Sequence, residues 1–393
     1  MGELPRLLIL TDDCVSPSHG TGAALLRQLK EFPENFLLHA YLNRKGEPSL
    51  SRSARVRPAK DPAKPWYARF TTAEPRDIDA ARSVQEFMEQ VVGADEKIGV
   101  VYSCVFGETG LQLLTEVLDH LPPGTPAIHH ANDFLYAKKL RFERMLRTLS
   151  PRISEFWSIG QGLAEEITRI TGREAALMAP FQCDLQPVYK QSHRPFGPEC
   201  KAVMLGNSHM PHVLHHLRHV WEKLEASVEG LRPIQWYAYP TSVTYVKDAG
   251  VTFEPQIEYC GFLNNDALHE QLCEADFAIV PFNIHDKPEY HYARFSIPSR
   301  ITEFVNAGLP IFAAAGKETE ACRFISGNGI GRCASIADET GFATQLLEFA
   351  KDTAARELMG AHNRHFAEEH CDIRVYRKEL MRRFRRLTTA TAQ

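Results

Sequence analysis

Phe295-Ser296-Ile297-Pro298-Ser299-Arg300-Ile301-Thr302-Glu303-Phe304-Val305-Asn306-Ala307-Gly308-Leu309-Pro310 reads as a loop, a short helix and a stop that feeds an apolar strand at 311–315. Ser-Ile-Pro-Ser is a helix-start signal: Ser296 or Ser299 is placed to cap, and Pro298 disfavours helix before the start. Gly308 suits a left-handed C-terminal cap, and Pro310 prevents the helix from continuing. Unpaired N–H groups and a positive dipole end make the start of such a helix a site for a phosphate. Glu303 follows one turn later, where a carboxylate can accept hydrogen bonds from sugar hydroxyls. One short segment thus has the chemistry to hold both ends of a sugar nucleotide.

Outward from this segment the chain alternates apolar strands and helices in two runs. In the later run, strands are expected at 202–205, 234–238, 257–262, 277–282, 310–315 and 327–333, with helices at about 211–226, at 266–273 and in the segment before 310, and three closing helices. In the earlier run, strands at 6–10, 36–42, 98–106, 126–130, 156–159 and 175–179 alternate with helices at 23–29, 77–92, 108–121 and 161–171. Residues 16–22 read as a Gly/Ser loop, and residues 43–75, rich in Pro, Arg, Lys and Ser, as a surface excursion. This alternation implies two doubly wound α/β domains. The length, 393 residues, fits two domains at the usual ~100–200 residues each. The boundaries expected are 1–190 for the first domain, a polar Pro/Gly linker at 191–199, 200–370 for the second, and a last helix at 371–393 packing back toward the first. Ligands in such sheets bind beyond the carboxyl ends of the strands, which points to an interdomain cleft.

Composition narrows the partners. A net charge of −4, with 44% hydrophobic and 24% charged residues, gives no bulk attraction to nucleic acid. No apolar run approaches the ~18 residues of a membrane span, and the first residues do not read as a signal peptide. The nine cysteines lack any Cys-x-x-Cys pair and read as reduced thiols of a cytoplasmic protein. The basic tail, with Arg374, Arg377, Lys378, Arg382, Arg383, Arg385 and Arg386, is compatible with weak peripheral contact with an anionic membrane face. Its reading as a solvated last helix is favoured by the small number of apolar positions, Val375, Leu380, Phe384 and Leu387.

Four ordered segments resemble the GT-B glycosyltransferases, and within them the retaining group called family 4. They are Gly20-Thr21-Gly22-Ala23, Phe156 to Ala164 (FWSIGQGLA), Glu258 to Leu263 with Leu268, Leu272, Ala275-Asp276 and Ile279-Val280-Pro281, and the segment that ends in Gly308-Leu309-Pro310. The resemblance implies two facing Rossmann-like domains, with the sugar nucleotide on the second and the acceptor mostly on the first. It implies a nucleotide-ribose role for Glu303, diphosphate contacts at Ser296 and Ser299, base contacts at Gly261 and Phe262, and close approach to the donor phosphate at Gly20 and Gly22. It also implies transfer with retention from a nucleoside diphosphate sugar, as in hexosyltransferases, to a glycan, lipid-linked or small-molecule acceptor. No metal and no permanently bound cofactor are implied.

The chain departs from the family pattern twice. Relatives often carry a sugar-binding glutamate eight positions before the nucleotide glutamate; here that position is Phe295. Relatives often have an Arg and a Lys after the first strand of the second domain; here the segment is Gly206-Asn207-Ser208-His209-Met210-Pro211. Arg294 and Arg300 are nearby cations suited to replace them, because leaving-group charge must be neutralised. In the first domain, His129-His130-Ala131-Asn132-Asp133 ends a strand, and His130 and Asp133 are expected to face the reacting groups. Strand alternation points His129 the other way. Residues 285–292 show no recognised metal-ligand spacing and read as a loop shaping sugar selectivity. The two departures leave open a non-catalytic partner or glycan-binding subunit of the same fold.

Overall fold

A computed structural model describes residues 4–17, 20–43, 47–58, 82–93, 96–132, 139–178, 182–206, 211–282 and 293–390. The chain divides into two compact units, residues 1–179 with 374–393, and residues 180–373.

The first unit runs β1 (Leu7–Asp13), α1 (Gly20–Leu29), β2 (Leu37–Asn43), β3 (Ser53–Arg57), β4 (Arg82–Ser83) and α2 (Val84–Phe87). It continues with β5 (Val100–Cys104), α3 (Glu108–Asp119), β6 (Ala127–Ala131), α4 (Lys139–Leu149), β7 (Glu155–Ser158), α5 (Gln161–Thr171) and β8 (Ala175–Leu177). Its sheet has the order β4-β3-β2-β1-β5-β6-β7-β8, with every described pairing parallel. Both faces of such a sheet are covered, which is why Leu7, Leu8, Ile9 and Leu10 form an unbroken apolar run with no exposure.

The second unit runs β9 (Ala202–Leu205), α6 (Pro211–Glu225), β10 (Ile234–Tyr237), α7 (Pro240–Asp248), β11 (Ile257–Gly261), α8 (Asn265–Glu274) and β12 (Phe277–Pro281). There follow α9 (Ile301–Asn306), β13 (Ile311–Ala314), α10 (Glu320–Gly327), β14 (Gly331–Ala334), α11 (Glu339–Lys351) and α12 (Thr353–His370). The parallel sheet has the order β11-β10-β9-β12-β13-β14. Strand order reverses between β9 and β12, and in the first unit between β1 and β5; such a reversal opens a crevice at the carboxyl ends of the strands. Trp221, Trp236, Phe253, Phe277, Phe312, Phe342 and Phe349 form the core of the second unit, each large side chain contributing roughly 1.5–3 kcal/mol by burial.

The last helix, α13 (Ile373–Ala390), joins the first unit from Arg374 onward. Phe384 stacks on Trp157 (6.0 Å, 28°) and meets Tyr102 and Phe32 edge-on. Tyr376 and Leu380 are buried with it, but Val375 is 64% exposed. Four basic residues of this helix meet carboxylates: Arg377 pairs with Glu31, Arg382 with Glu379, and Arg383 and Arg386 with Glu155.

Several expectations are corrected. The segment read as a linker, 191–199, forms no helix or strand but is anchored: His193 is buried, and Arg194 is fastened to the fully buried Asp276 through its backbone N–H and its Nε, both at 2.8 Å. Asp276 also accepts from the Lys201 N–H at 2.9 Å, so it draws 194–201 against the start of β12. Within 43–75, β3 is a sheet strand beside β2; 59–75, like the start of the helix expected at 77–92, lie outside the described residues. Helices α4, α7 and α10 were not expected. Helix α4 hides its apolar side in a charged sequence, with Phe142, Leu146 and Leu149 buried at helical spacing. Helix α7 begins with Pro240 at its first turn, which suits that position. Helix α10 is capped by Thr319, whose hydroxyl accepts from the Cys322 N–H at 3.1 Å.

Candidate functional site

Helix α9 is short and held from behind. Gly308 has φ +69°, and the Leu309 N–H donates to Phe304 O at 2.9 Å, closing the C-terminal turn as expected of a left-handed glycine cap. Helix α12 fixes the same end: Arg364 Nη1 donates to Asn306 O (2.9 Å) and Oδ1 (3.0 Å), and Asn363 Nδ2 donates to Leu309 O (2.6 Å) and Ile330 O (2.9 Å). Asn306 Oδ1 also accepts from the Gln186 N–H.

The front end differs from expectation. The N-cap is Arg300, and no side chain caps the helix. The Ile301 and Thr302 N–H groups donate to Pro298 O (3.2 Å) and Ser299 O (3.3 Å) in a tight entry turn. Neither Ser296 nor Ser299 is therefore the cap, and two of the N–H groups expected to be free for phosphate are already engaged. The Ser299 carbonyl also accepts from the Thr302 hydroxyl at 3.0 Å. Ser296 is buried, and its Oγ has no hydrogen-bond partner among the described residues.

Charge at this end comes from side chains. Arg300 Nη1 lies 3.4 Å from Glu303 Oε1, and the side chains are 28% and 14% exposed. Gly206, just past β9, has φ +84°, and a Cβ there would stand 3.2 Å from Arg300 Cγ. The bare glycine turn lets the arginine stem lie against the carboxyl end of β9. Residues 207–210, where relatives place cations, lie outside the described residues. Arg294 is exposed in the turn before Phe295.

Beside β9, the ends of β10 and β11 carry a second feature. Gly261 closes β11 with φ +91°, and a Cβ there would meet nothing within 4 Å. Ala238 N–H donates to Gly261 O at 3.0 Å, holding the two strand ends together. Phe262, 51% exposed, stacks on Tyr239 with ring centroids 4.4 Å apart and planes 17° from parallel. Tyr239 was not singled out from the sequence; its position just before Pro240, at a strand end, is the signal that could have found it. Ser296, Ser299, Arg300, Glu303, Gly261 and Phe262 therefore all belong to the carboxyl edge of the second unit's sheet.

The first unit treats its expected residues differently. Gly20 and Gly22 are not in a loop: they form the first turn of α1, after β1. His130 does not face reacting groups. It is 1% exposed, its Nδ1 lies 2.7 Å from the Tyr102 hydroxyl, and it packs edge-on against Trp157. Burial pushes its pKa down to about 3 and that of His129 to about 4, so both are neutral core side chains near pH 7. The alternation that separates them is as expected, His129 packing against Phe156 on the other face. Asp133 and residues 285–292 lie outside the described residues. Among the described residues, no group of three or more His, Cys, Asp or Glu could hold a metal ion, and no helix is long and apolar enough to cross a membrane.

Two parallel Rossmann-like units with this order of elements define the GT-B glycosyltransferase fold. No protein-family model matches the sequence, and no curated protein matches it. Solved structures match its fold. HepE of Anabaena, crystallised in complex with UDP, aligns over 95% of this chain and 98% of its own at a TM-score of 0.64 and 13% identity. Sucrose-phosphate synthase of Thermosynechococcus elongatus aligns over 98% and 100% at 0.66 and 11% identity. WaaG, a glycosyltransferase involved in lipopolysaccharide biosynthesis, aligns over 95% and 98% at 0.60 and 12% identity.

Proposed function

We propose that this protein transfers a sugar, a hexose in the closest reading, from a nucleoside diphosphate sugar to an acceptor hydroxyl. The observation that carries this reading is the Arg300–Glu303 pair at the carboxyl end of β9, where the strand order reverses. Glu303 supplies a carboxylate for ribose hydroxyls, and Arg300 supplies charge-assisted hydrogen bonds to the diphosphate. A guanidinium held at a partly buried site stabilises negative charge developing on the leaving group without reorganising. The stacked Phe262–Tyr239 pair adds an aromatic face for the base, and the UDP complex of HepE supports a uridine nucleotide as the first donor to test. Arg294, exposed six residues upstream of Arg300, is proposed as a second cation for the departing phosphate. Gly20 and Gly22, opening α1, are proposed to admit the donor phosphate closely. Retention and metal independence are proposed from the family resemblance; the acceptor is a glycan, a lipid-linked sugar or a small molecule. Nine cysteines, all present as unbridged thiols, support a reducing, cytoplasmic setting.

The test is calorimetric titration of UDP, GDP and ADP, then of their glucose conjugates, into wild type and Glu303→Gln. Binding of one nucleotide, weakened at least tenfold in the variant while circular dichroism is unchanged, supports the site. Equal affinity in the two proteins removes Glu303 from it. A second reading, a nucleotide-binding subunit without transferase activity, is favoured by Phe295 at the sugar-carboxylate position. Nucleotide binding without slow donor hydrolysis and without transfer to any acceptor class would establish it.

A further inference from the structure

Helix α6 carries histidines at 212, 215, 216 and 219, and the nucleotide site uses none of them. We propose that His215 and His219 form a two-histidine site for a divalent transition ion such as Zn²⁺, Ni²⁺ or Cu²⁺ on the outer face of α6.

The geometry carries the proposal. Residues four apart stand one above the other on a helix, and here the two Nε2 atoms are 3.3 Å apart. Two imidazole nitrogens bound tetrahedrally to one ion at 2.0–2.1 Å would be separated by about 3.3 Å. The rings are nearly perpendicular, 88°, with centroids 4.5 Å apart; His215 is exposed and the His219 side chain is 37% exposed, so either ring can turn about its last bond to aim its lone pair.

The surroundings select the tautomer. Glu222 Oε2 lies 3.6 Å from His219 Nδ1. That distance is beyond a hydrogen bond, but the nearby negative charge favours the tautomer with the proton on Nδ1 and the lone pair on Nε2, and a small side-chain rotation would bring the carboxylate into the position that commonly backs metal-binding histidines. With that tautomer and no metal, the 3.3 Å contact is a hydrogen bond in which His215 Nε2–H donates to the lone pair. When an ion binds between the rings it takes the place of this proton, which moves to His215 Nδ1, and water completes the coordination. His216 is not part of the site: its Nδ1 is engaged by Glu339 Oε1 at 2.5 Å. Imidazole ligands favour the later first-row ions, so Cu²⁺ is expected to bind more tightly than Ni²⁺ or Zn²⁺.

The test uses the untagged full chain, titrated calorimetrically with NiCl₂ and ZnCl₂. Wild type is expected to bind one equivalent more than the His215→Asn/His219→Asn protein, and to gain melting temperature with metal where the double variant does not. Glu222→Gln is expected to weaken binding by about tenfold, while His216→Asn leaves it unchanged. Equal stoichiometry and affinity in wild type and double variant would overturn the proposal, as would a loss in His216→Asn as large as in the double variant. Should the double variant fail to fold, paramagnetic resonance of wild type with one equivalent of Cu²⁺ decides: hyperfine structure from two nitrogens supports the site, and fewer than two overturns it.

Discussion

Replacing His129 with leucine tests how completely the first unit's sheet excludes water. His129 has no exposure, and neither ring nitrogen has a hydrogen-bond partner among the described residues. Folded, His129 and His130 stay neutral down to about pH 4 and 3, whereas an unfolded imidazole protonates near 6.5. Between pH 6.5 and 4 the unfolded chain therefore takes up protons that the folded chain refuses, and stability falls as pH falls. The slope is about 1.4 kcal/mol per pH unit for each histidine. From pH 7.5 to 5.5 the pair should cost wild type about 3 kcal/mol, and His129→Leu about half as much. At pH 7.5 the leucine variant should be equal to wild type or up to about 2 kcal/mol more stable, because it removes unpaired buried polar atoms. Hydrogen exchange of β5, β6 and β7 amides, read by mass spectrometry on both proteins at each pH, isolates this unit and cancels the intrinsic exchange rate. The variant's advantage should grow by about 1.4 kcal/mol between the two pH values. Protection that changes in parallel in the two proteins would mean that the His129 ring is protonated within the folded sheet, and the reasoning fails.

Other outcomes follow from single residues. Asp276→Ala leaves Arg194 without its buried acceptor and should destabilise the second unit by about 3–5 kcal/mol, measured by denaturant titration. Gly308→Ala forces a side chain into the left-handed region and brings a Cβ to 3.0 Å from Lys190 O; a loss of about 2 kcal/mol is expected, with nucleotide affinity falling as α9 shifts. Phe262→Ala and Tyr239→Ala should each weaken nucleotide binding by about 1–3 kcal/mol if the base stacks there, while leaving inorganic pyrophosphate binding unchanged in calorimetry.

Much of the architecture was legible because parallel strands are short, apolar and separated by helices. Residues 202–205, 161–171 and 339–351 were bounded as the structure has them. The end of α9 was equally legible, since a Gly-Leu-Pro stop depends only on local backbone geometry. The start was not. Ser296 and Ser299 have capping chemistry, but the turn from Pro298 satisfies the first N–H groups by itself, and capping propensity cannot register a competing backbone acceptor. His130 was misplaced for a different reason. A histidine at a strand's end looks the same in sequence whether the edge is open or roofed, and here Tyr102 and Trp157 enclose it. Tyr239, Asp276 and Asn363 act through partners more than twenty residues away, which no local pattern exposes.

The membership of α13 in the first unit bears on synthesis. Ribosomes emit the chain at about 5–20 residues per second, so the second unit, residues 180–373, is complete while the first still lacks Phe384 and Leu380. The unit synthesised first of the two is thus the last able to close its aromatic core. Until the final helix emerges, Tyr102 and Trp157 present an uncovered apolar face to chaperones. Nascent chains stalled with a flexible spacer that carries residue 373, but nothing of 374–393, clear of the ribosome should show a protease-resistant second unit and a digestible first one, and deleting residues 374–393 should cost the first unit its fold while sparing the other.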